Sequence, residues 1–501
     1  MTRGNVLLVT IDQLSAAVLD GPLAAFARTP NLDRLAATGA RFDFHHTVTV
    51  PCGPARASLL TGLYAMNHRA IRNGTPLARH HATVATEARK AGYEPLLFGY
   101  SDIAADPEGR DPEDPDLRSY EGVAPGFREL VEMRMETGHE WPAHLRARGH
   151  PVDPEDRAPV PAIYRPVAPP GRPSRPSDPA IYAAADSDTA YLTDRTLAAL
   201  DIRRGAPWFA HLAYIRPHPP LVAPAPWNTL VDPAGLPAPD LGRPDHPLVR
   251  AWFSAPSNAG LFWGFDGDCA ALPPATVAEL RAVYLGLVAE VDHHLGRVLD
   301  WLEATGQAGR TLVIVTADHG EMLGEKGMWG KIVPFEPALR VPLYVRAPGM
   351  PGGQRIAAPT ESVDLAPTIL DWIGRSAPPA MDGVSLLPLL AGGAVPAGWR
   401  EGVLAEIDFG HPTRPTPIQA ALGLYPDQAG AAIWRDARWS YVHFAGPVAP
   451  MLFDRAADPH ETRDLGADPA HAPVRAALLG RIMGRMMRRR DRRLTHLSFG
   501  A

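Results

Sequence analysis

The stretch NVLLVTIDQ, residues 5–13, decides how the rest of the chain is read. Its apolar residues run almost without a break and end directly in Asp12 and Gln13. Such a run is a strand covered on both faces, as in a parallel sheet packed between helices. It is too short for a signal-peptide core, and no small-residue cleavage site follows.

Working outward, the same grammar repeats. Residues 29–42, TPNLDRLAATGARF, have the spacing of a short helix with Thr29 or Asn31 near its cap and Gly39 at its end. Residues 81–102 read helix then strand, and 207–220, PWFAHLAYIRPHPP, read as a buried strand stopped by Pro217. Residues 276–306 keep helical spacing for many turns, and 310–321, RTLVIVTADHGE, follow at once as a strand. Residues 341–349, VPLYVRAPG, are another. Strands alternating with helices predict an α/β fold, a large sheet sandwiched by helices. Ligands gather at the carboxyl ends of such strands, where Asp12, His218, Asp318 and His319 all fall.

Two regions break the pattern. From 102 to about 179 the chain is dense in proline, which predicts a functional or interface loop, or alternatively a disordered insert. From 393 to 501, short strands without βα alternation precede a helix over 472–490. We therefore expect a catalytic α/β domain over 1–392 and a smaller C-terminal α+β domain, with an antiparallel sheet, over 393–501.

The 501 residues carry a formal net charge of −6, 46% hydrophobic residues and two cysteines. That balance argues against a nucleic-acid coat, and two cysteines make no disulfide framework. No run approaches a membrane span. The expectation is a cytoplasmic protein with neither nucleic acid nor membrane as partner.

Paired Asp-Gln and Asp-His at two strand ends suit one hard or borderline divalent cation, since zinc prefers more His or Cys. Each pair alone is more often a turn cap. His218 stands between prolines in RPHPP, and Lys331 follows Asp318 and His319 within MWGKIVPFEP. Cys52 lies in VPCGPARASLLTG, residues 50–62. A thiolate phosphatase would need arginine six positions on, where Ser58 stands. A buried structural cysteine is the plainer alternative, but two flanking prolines and polar neighbours make a poor core segment.

The pattern Cys-x-Pro-x-Arg followed by ASLLTG resembles the sulfatase signature, in which the cysteine becomes formylglycine, an aldehyde present as its hydrate. The resemblance extends to residues 5–13, 29–42, 212–220, 291–299, 316–331, 341–349, 363–374 and 452–465. Within the alkaline phosphatase superfamily it is most similar to the phosphonate monoester hydrolase and dimeric arylsulfatase branch, in residues 50–70, 212–220 and the RRLTH of 492–496. The resemblance implies a formylglycine-dependent hydrolase of sulfate or phosphonate monoesters, and a formylglycine-generating enzyme as maturation partner. It implies that Asp12, Gln13, Asp318 and His319 hold one Mn²⁺ or Ca²⁺ together with the modified Cys52. Arg56 would steady the hydrate, while Asn73, Tyr100, His218 and Lys331 line the substrate site, His218 protonating the leaving oxygen.

Three positions depart from the pattern. Tyr100 stands where many sulfatases have lysine, Gln13 replaces a second aspartate, and Asp102 stands where the phosphonate hydrolase branch is expected to carry threonine. An ionised Asp102 would repel dianionic esters; alternatively it faces solvent or caps a loop. The competing class is a non-catalytic binding or assembly protein with unconverted Cys52. Residues 481–500 combine exposed arginines with Met483, Met486, Met487, Leu494, Leu497 and Phe499. They predict packing against a second subunit, as a homodimer or homotetramer.

Overall fold

The computed structural model describes residues 4–136, 138–153 and 159–491. The opening strand is Asn5–Ile11, buried throughout. It pairs in parallel with Phe209–Tyr214 on one side and Thr311–Thr316 on the other, at the centre of an eight-stranded sheet. Pro95–Gly99 and Arg128–Glu132 extend the first side. Leu343–Arg346, Ala40–Phe42 and Gln354–Ile356 extend the second. Leu343–Arg346 runs antiparallel to both its neighbours, so the sheet is mixed.

The period of two along a strand splits its apolar residues between two layers. Leu7, Val9 and Ile11 face one core, which includes Leu280, Leu287 and Leu295 of the Pro274–Ala304 helix. Val6 and Leu8 face the other, with Leu59, Leu60, Ala85 and Ile369. Both faces are covered, which is why the run carries no polar alternation.

The second sheet is antiparallel over Gly402–Asp408, Gly430–Asp436, Trp439–Phe444 and Met451–Asp454, as expected. It also takes in Thr49–Val50, which pairs in parallel with Gly402–Asp408 immediately before Cys52. The Ala472–Arg488 helix packs Leu478 and Ile482 with Leu404, Trp434 and Tyr441 of that sheet.

Three expectations need correction. The proline-dense region is no plain loop: it supplies the Arg128–Glu132 edge strand and the Glu140–Ala147 helix, and Trp141 and Tyr164 are fully buried. The segment around Cys52 is core after all, for every residue of the Cys52–Thr61 helix is buried. Its polar groups are satisfied internally: Ser58 Oγ lies 2.8 Å from His68 Nε2, and Thr61 Oγ1 donates to Ala57 O at 2.6 Å. The arginines of the last helix are not all exposed either, because Arg485 is buried against Glu361 at 3.1 Å. Met483 and Met487 are exposed, and Leu494, Leu497 and Phe499 lie outside the described residues. Among the described residues no helix is long and apolar enough to cross a membrane.

Candidate active site

Strand register builds the site. Thr10 stands opposite Thr316 in adjacent parallel strands. Two residues beyond each, Asp12 and Asp318 therefore emerge side by side at the same sheet edge. Cys52 arrives as the first residue of its buried helix, with Pro51 at the cap. The donor atoms of Asp12, Cys52, Asp318 and His319 all lie within 4.8 Å of one another, and all four residues are buried. His319 Nε2 sits 3.2 Å from Cys52 Sγ, 3.9 Å from Asp12 Oδ1 and 3.8 Å from Asp318 Oδ1. Its other nitrogen, Nδ1, contacts Gly320 O at 3.0 Å. A carbonyl only accepts, so Nδ1 carries the proton and Nε2 presents a bare lone pair to the cluster. Gly320 permits this turn: a Cβ there would meet Pro337 O at 2.0 Å.

Charge is balanced from beneath by Arg56, one helical turn after Cys52. Its Nε donates to Asp318 Oδ2 at 2.9 Å, its Nη2 to Asp12 Oδ2 at 3.1 Å and its Nη1 to Tyr100 O at 2.9 Å. The guanidinium also lies 4.0 Å from the Tyr100 ring centre. Burial, then the neighbouring Asp318, pushes Asp12 up to about 6. Burial would raise Asp318 too, but His319, Arg56 and the Gln13 N–H outweigh it and hold its carboxyl low. Burial brings His319 down to about 4, so it is neutral at pH 7. Burial and Asp12 push the Cys52 thiol well up, so the unmodified side chain is no thiolate nucleophile here.

Around the cluster, Asn73 Oδ1 accepts from Gly53 N at 3.0 Å. Lys331 Nζ donates to Gln13 Oε1 at 2.6 Å. Burial would lower Lys331, but the surrounding Cys52, Asp12 and Asp318 raise it, and it stays charged. His218, partly exposed after the Phe209–Tyr214 strand, has Nδ1 2.6 Å from Pro219 O, which leaves Nε2 for a substrate. Burial and Lys331 hold its imidazole well below the usual range.

Residues 4–375 match the sulfatase family profile, and residues 324–488 match that of the N-sulphoglucosamine sulphohydrolase C-terminal region. The chain belongs to the sulfatase family. It is 38% identical to the multifunctional alkaline phosphatase superfamily protein PehA of Trinickia caryophylli, over 99% of this chain and 98% of that one. The solved phosphonate monoester hydrolase SpPMH from Silicibacter pomeroyi superposes with a TM-score of 0.93 at 47% identity, covering 99% of this chain and 98% of that one. The corresponding enzyme of Agrobacterium radiobacter gives 0.91 at 36%, with the same coverage. The choline-sulfatase of Rhizobium meliloti is more distant, 28% identical over 99% of this chain and 88% of its own. The fold is accordingly the alkaline-phosphatase-like one of sulfatases, and the relatives are hydrolases.

Sulfatases generally use a divalent metal and a formylglycine. The donor set fits a metal: two carboxylates, a bare imidazole nitrogen and residue 52 surround one point, and Asp12 Oδ1 is buried with no hydrogen-bond partner. In that fit, Cys52 Sγ stands where a converted side chain would place its oxygens. Gln13 is drawn in differently from the other ligand candidates, since its amide oxygen is taken by Lys331 and its backbone N–H donates to Asp318 Oδ1 at 3.1 Å.

Asp102 needs correction. It is only 4% exposed, its Oδ1 has no partner, and burial, with Glu121, Asp12 and Asp318 close by, holds its carboxyl well above the usual range. It therefore does not face solvent, and its burial works against the ionised form considered from sequence. Asp102 has φ +54°, and its carbonyl oxygen would lie 3.0 Å from a Cβ on residue 53, so Gly53 eases the close approach to the Cys52 helix. Sequence reasoning passed over Glu321, whose Oε1 accepts from Leu323 N at 3.0 Å and Gly330 N at 2.7 Å while Oε2 takes the Gln13 amide. This one buried carboxylate thus ties the loop carrying Lys331 to Gln13. Its place in Asp-His-Gly-Glu was the available signal.

Proposed function

We propose that this chain is a formylglycine-dependent metallohydrolase of singly charged esters, phosphonate monoesters and sulfate monoesters, with phosphodiesters as further substrates. The observation that carries it is the meeting of Asp12, Asp318 and His319 around residue 52, in a chain 47% identical to a phosphonate monoester hydrolase. Asp12, Gln13, Asp318 and His319 would hold one Mn²⁺ or Ca²⁺, ions that accept mainly oxygen donors with a single imidazole. When bound, that ion supplies Lewis-acid polarisation, and formylglycine at 52 supplies a hydroxyl nucleophile.

The chain's own residues do the rest. Residue 52 opens a helix, whose unpaired N–H groups favour negative charge there. Arg56 fixes both carboxylates so that neither swings away. Lys331, held by Gln13, offers positive charge to the transferring group. His218 donates Nδ1–H to Pro219 and turns Nε2 to the leaving oxygen, which it protonates. An anionic ester beside the ring restores the proton affinity that burial removes. With Tyr100 in place of a lysine, the pocket has one cation fewer to meet a dianion.

Mass spectrometry of the peptide around residue 52, after expression beside a formylglycine-generating enzyme, is the first test. Rates on aryl sulfate, phenyl phosphonate, phosphodiester and phosphomonoester are the second. Conversion together with turnover of the first two esters supports the proposal. Unmodified cysteine throughout, or phosphomonoester as the preferred substrate, sinks it.

A further inference from the structure

The Phe209–Tyr214 strand is followed by Ile215 and the loop that presents His218, and the loop's orientation is set from below. Arg216, fully buried, turns inward. One of its nitrogens, Nη1, donates to His218 O at 2.6 Å and to Pro220 O at 2.9 Å. Those two carbonyls bracket Pro219, and Pro219 O is the acceptor that orients the His218 ring. The guanidinium is itself clamped. Its Nε donates to Asp188 Oδ2 at 3.3 Å, and it lies 3.6 Å from the Tyr164 ring centre. Tyr164 OH donates to the same Asp188 oxygen at 2.8 Å. Tyr164 and Asp188 are 0% and 1% exposed.

We infer that Arg216, held by Asp188 and Tyr164, is a positioning residue that aims His218 Nε2 at the leaving oxygen. The chain of contacts runs from the proline-dense region, which supplies Tyr164, through Arg216 and two backbone carbonyls to one imidazole. Arg216 touches no reacting atom; it acts by fixing which way the Pro219 carbonyl points. Donating to two carbonyls from Nη1 while Nε holds Asp188 and the guanidinium plane lies on the Tyr164 ring is a demand that a lysine ammonium, a single point charge, cannot meet. The purpose of a rigid aim is that proton donation requires hydrogen-bond reach of the departing oxygen, with small misplacement costly in rate.

The inference rests on the reading of His218 as the leaving-group acid, and the test separates the two. kcat/KM would be measured for parallel aryl esters, one with a 4-nitrophenyl leaving group and one with phenyl. A good leaving group needs no proton; phenoxide does. His218→Asn should depress the phenyl ester about 100-fold more than the nitrophenyl ester, within the range general acids supply. Arg216→Lys should depress the phenyl ester about 10-fold more, and Tyr164→Phe, which keeps the ring and drops only the hydroxyl, about 3-fold more. A merely structural role would lower both esters by one factor. Circular dichroism identifies which variants fold, and Tyr164→Phe serves if Arg216→Lys does not. If His218→Asn changes the ratio while every folded positioning variant leaves it within 1.5-fold of the parent, Arg216 does not position the acid. If His218→Asn leaves the ratio unchanged, the acid role fails and this inference falls with it.

Discussion

Replacing Arg56 by methionine keeps most of the side chain's length and removes one charge from under two carboxylates. Those carboxylates, on Asp12 and Asp318, are 0% exposed, so water cannot take over the lost contacts. Breaking a buried ion pair by deleting one partner costs about 3–5 kcal/mol, because the remaining charge is left uncompensated. At roughly 2 cal/mol/K per residue the unfolding entropy of this 501-residue chain is about 1 kcal/mol/K. The metal-free variant should therefore melt about 3–5 °C below the metal-free parent at pH 8. The deficit also has a sign in pH. Asp12 already sits at about 6, above its unfolded value near 3.9, and loses a neighbour that was lowering it. A carboxyl whose folded pKa is raised costs stability as pH climbs through that pKa and costs nothing below its unfolded value. Removing Arg56 raises it further, so the gap between variant and parent should widen from pH 5 to pH 8. Paired calorimetric scans at the two pH values measure this. A fall of less than 1 °C at pH 8, or a larger fall at pH 5, would refute the assignment of Arg56 as the counter-charge of this pair.

Because burial raises the Asp102 carboxyl well above its ordinary range, Asp102→Asn should change kcat/KM on aryl sulfate and aryl phosphate by the same factor. An ionised group 4 Å away in water would instead contribute about 1 kcal/mol per unit of substrate charge, so a selective fivefold gain on the phosphate overturns this reading. In chain made without conversion, Cys52, 5% exposed with a raised thiol pKa, should resist alkylation while native and react in denaturant; rapid native labelling contradicts the enclosed site. Deleting residues 492–501, beyond the exposed Met483 and Met487, should lower the light-scattering mass; an unchanged mass removes the tail from subunit assembly.

The two strand ends at the cluster were legible because their apolar runs stop at an acid, Asp12 and Asp318, and register then does the rest. Strand direction was not: Leu343–Arg346 is apolar and buried whichever way it runs. The Arg128–Glu132 strand escaped notice because an edge strand, RELVE, buries only Val131 and is otherwise charged or half-buried. Among site residues, Asp12, Cys52, Asp318 and His319 could be proposed because they stand at strand ends and in a signature pattern, although each pair alone reads as a turn cap. Arg216 and Asp102 could not, since their roles come from Asp188, Tyr164 and Glu121, neighbours made by the fold.

The pairing of Thr49–Val50 with Glu406 and Ile407 puts a clock on the Cys52 helix. The strand that leads into it has no sheet partner until roughly 350 further residues have been made. At roughly 5–20 residues per second, synthesis of that stretch takes about 20–70 s. Throughout this interval residue 52 sits next to an unpaired strand. In the finished fold Ile407 pairs with Val50, and residue 52 is 5% exposed. The order of synthesis thereby sets when the strand leading into this side chain can pair.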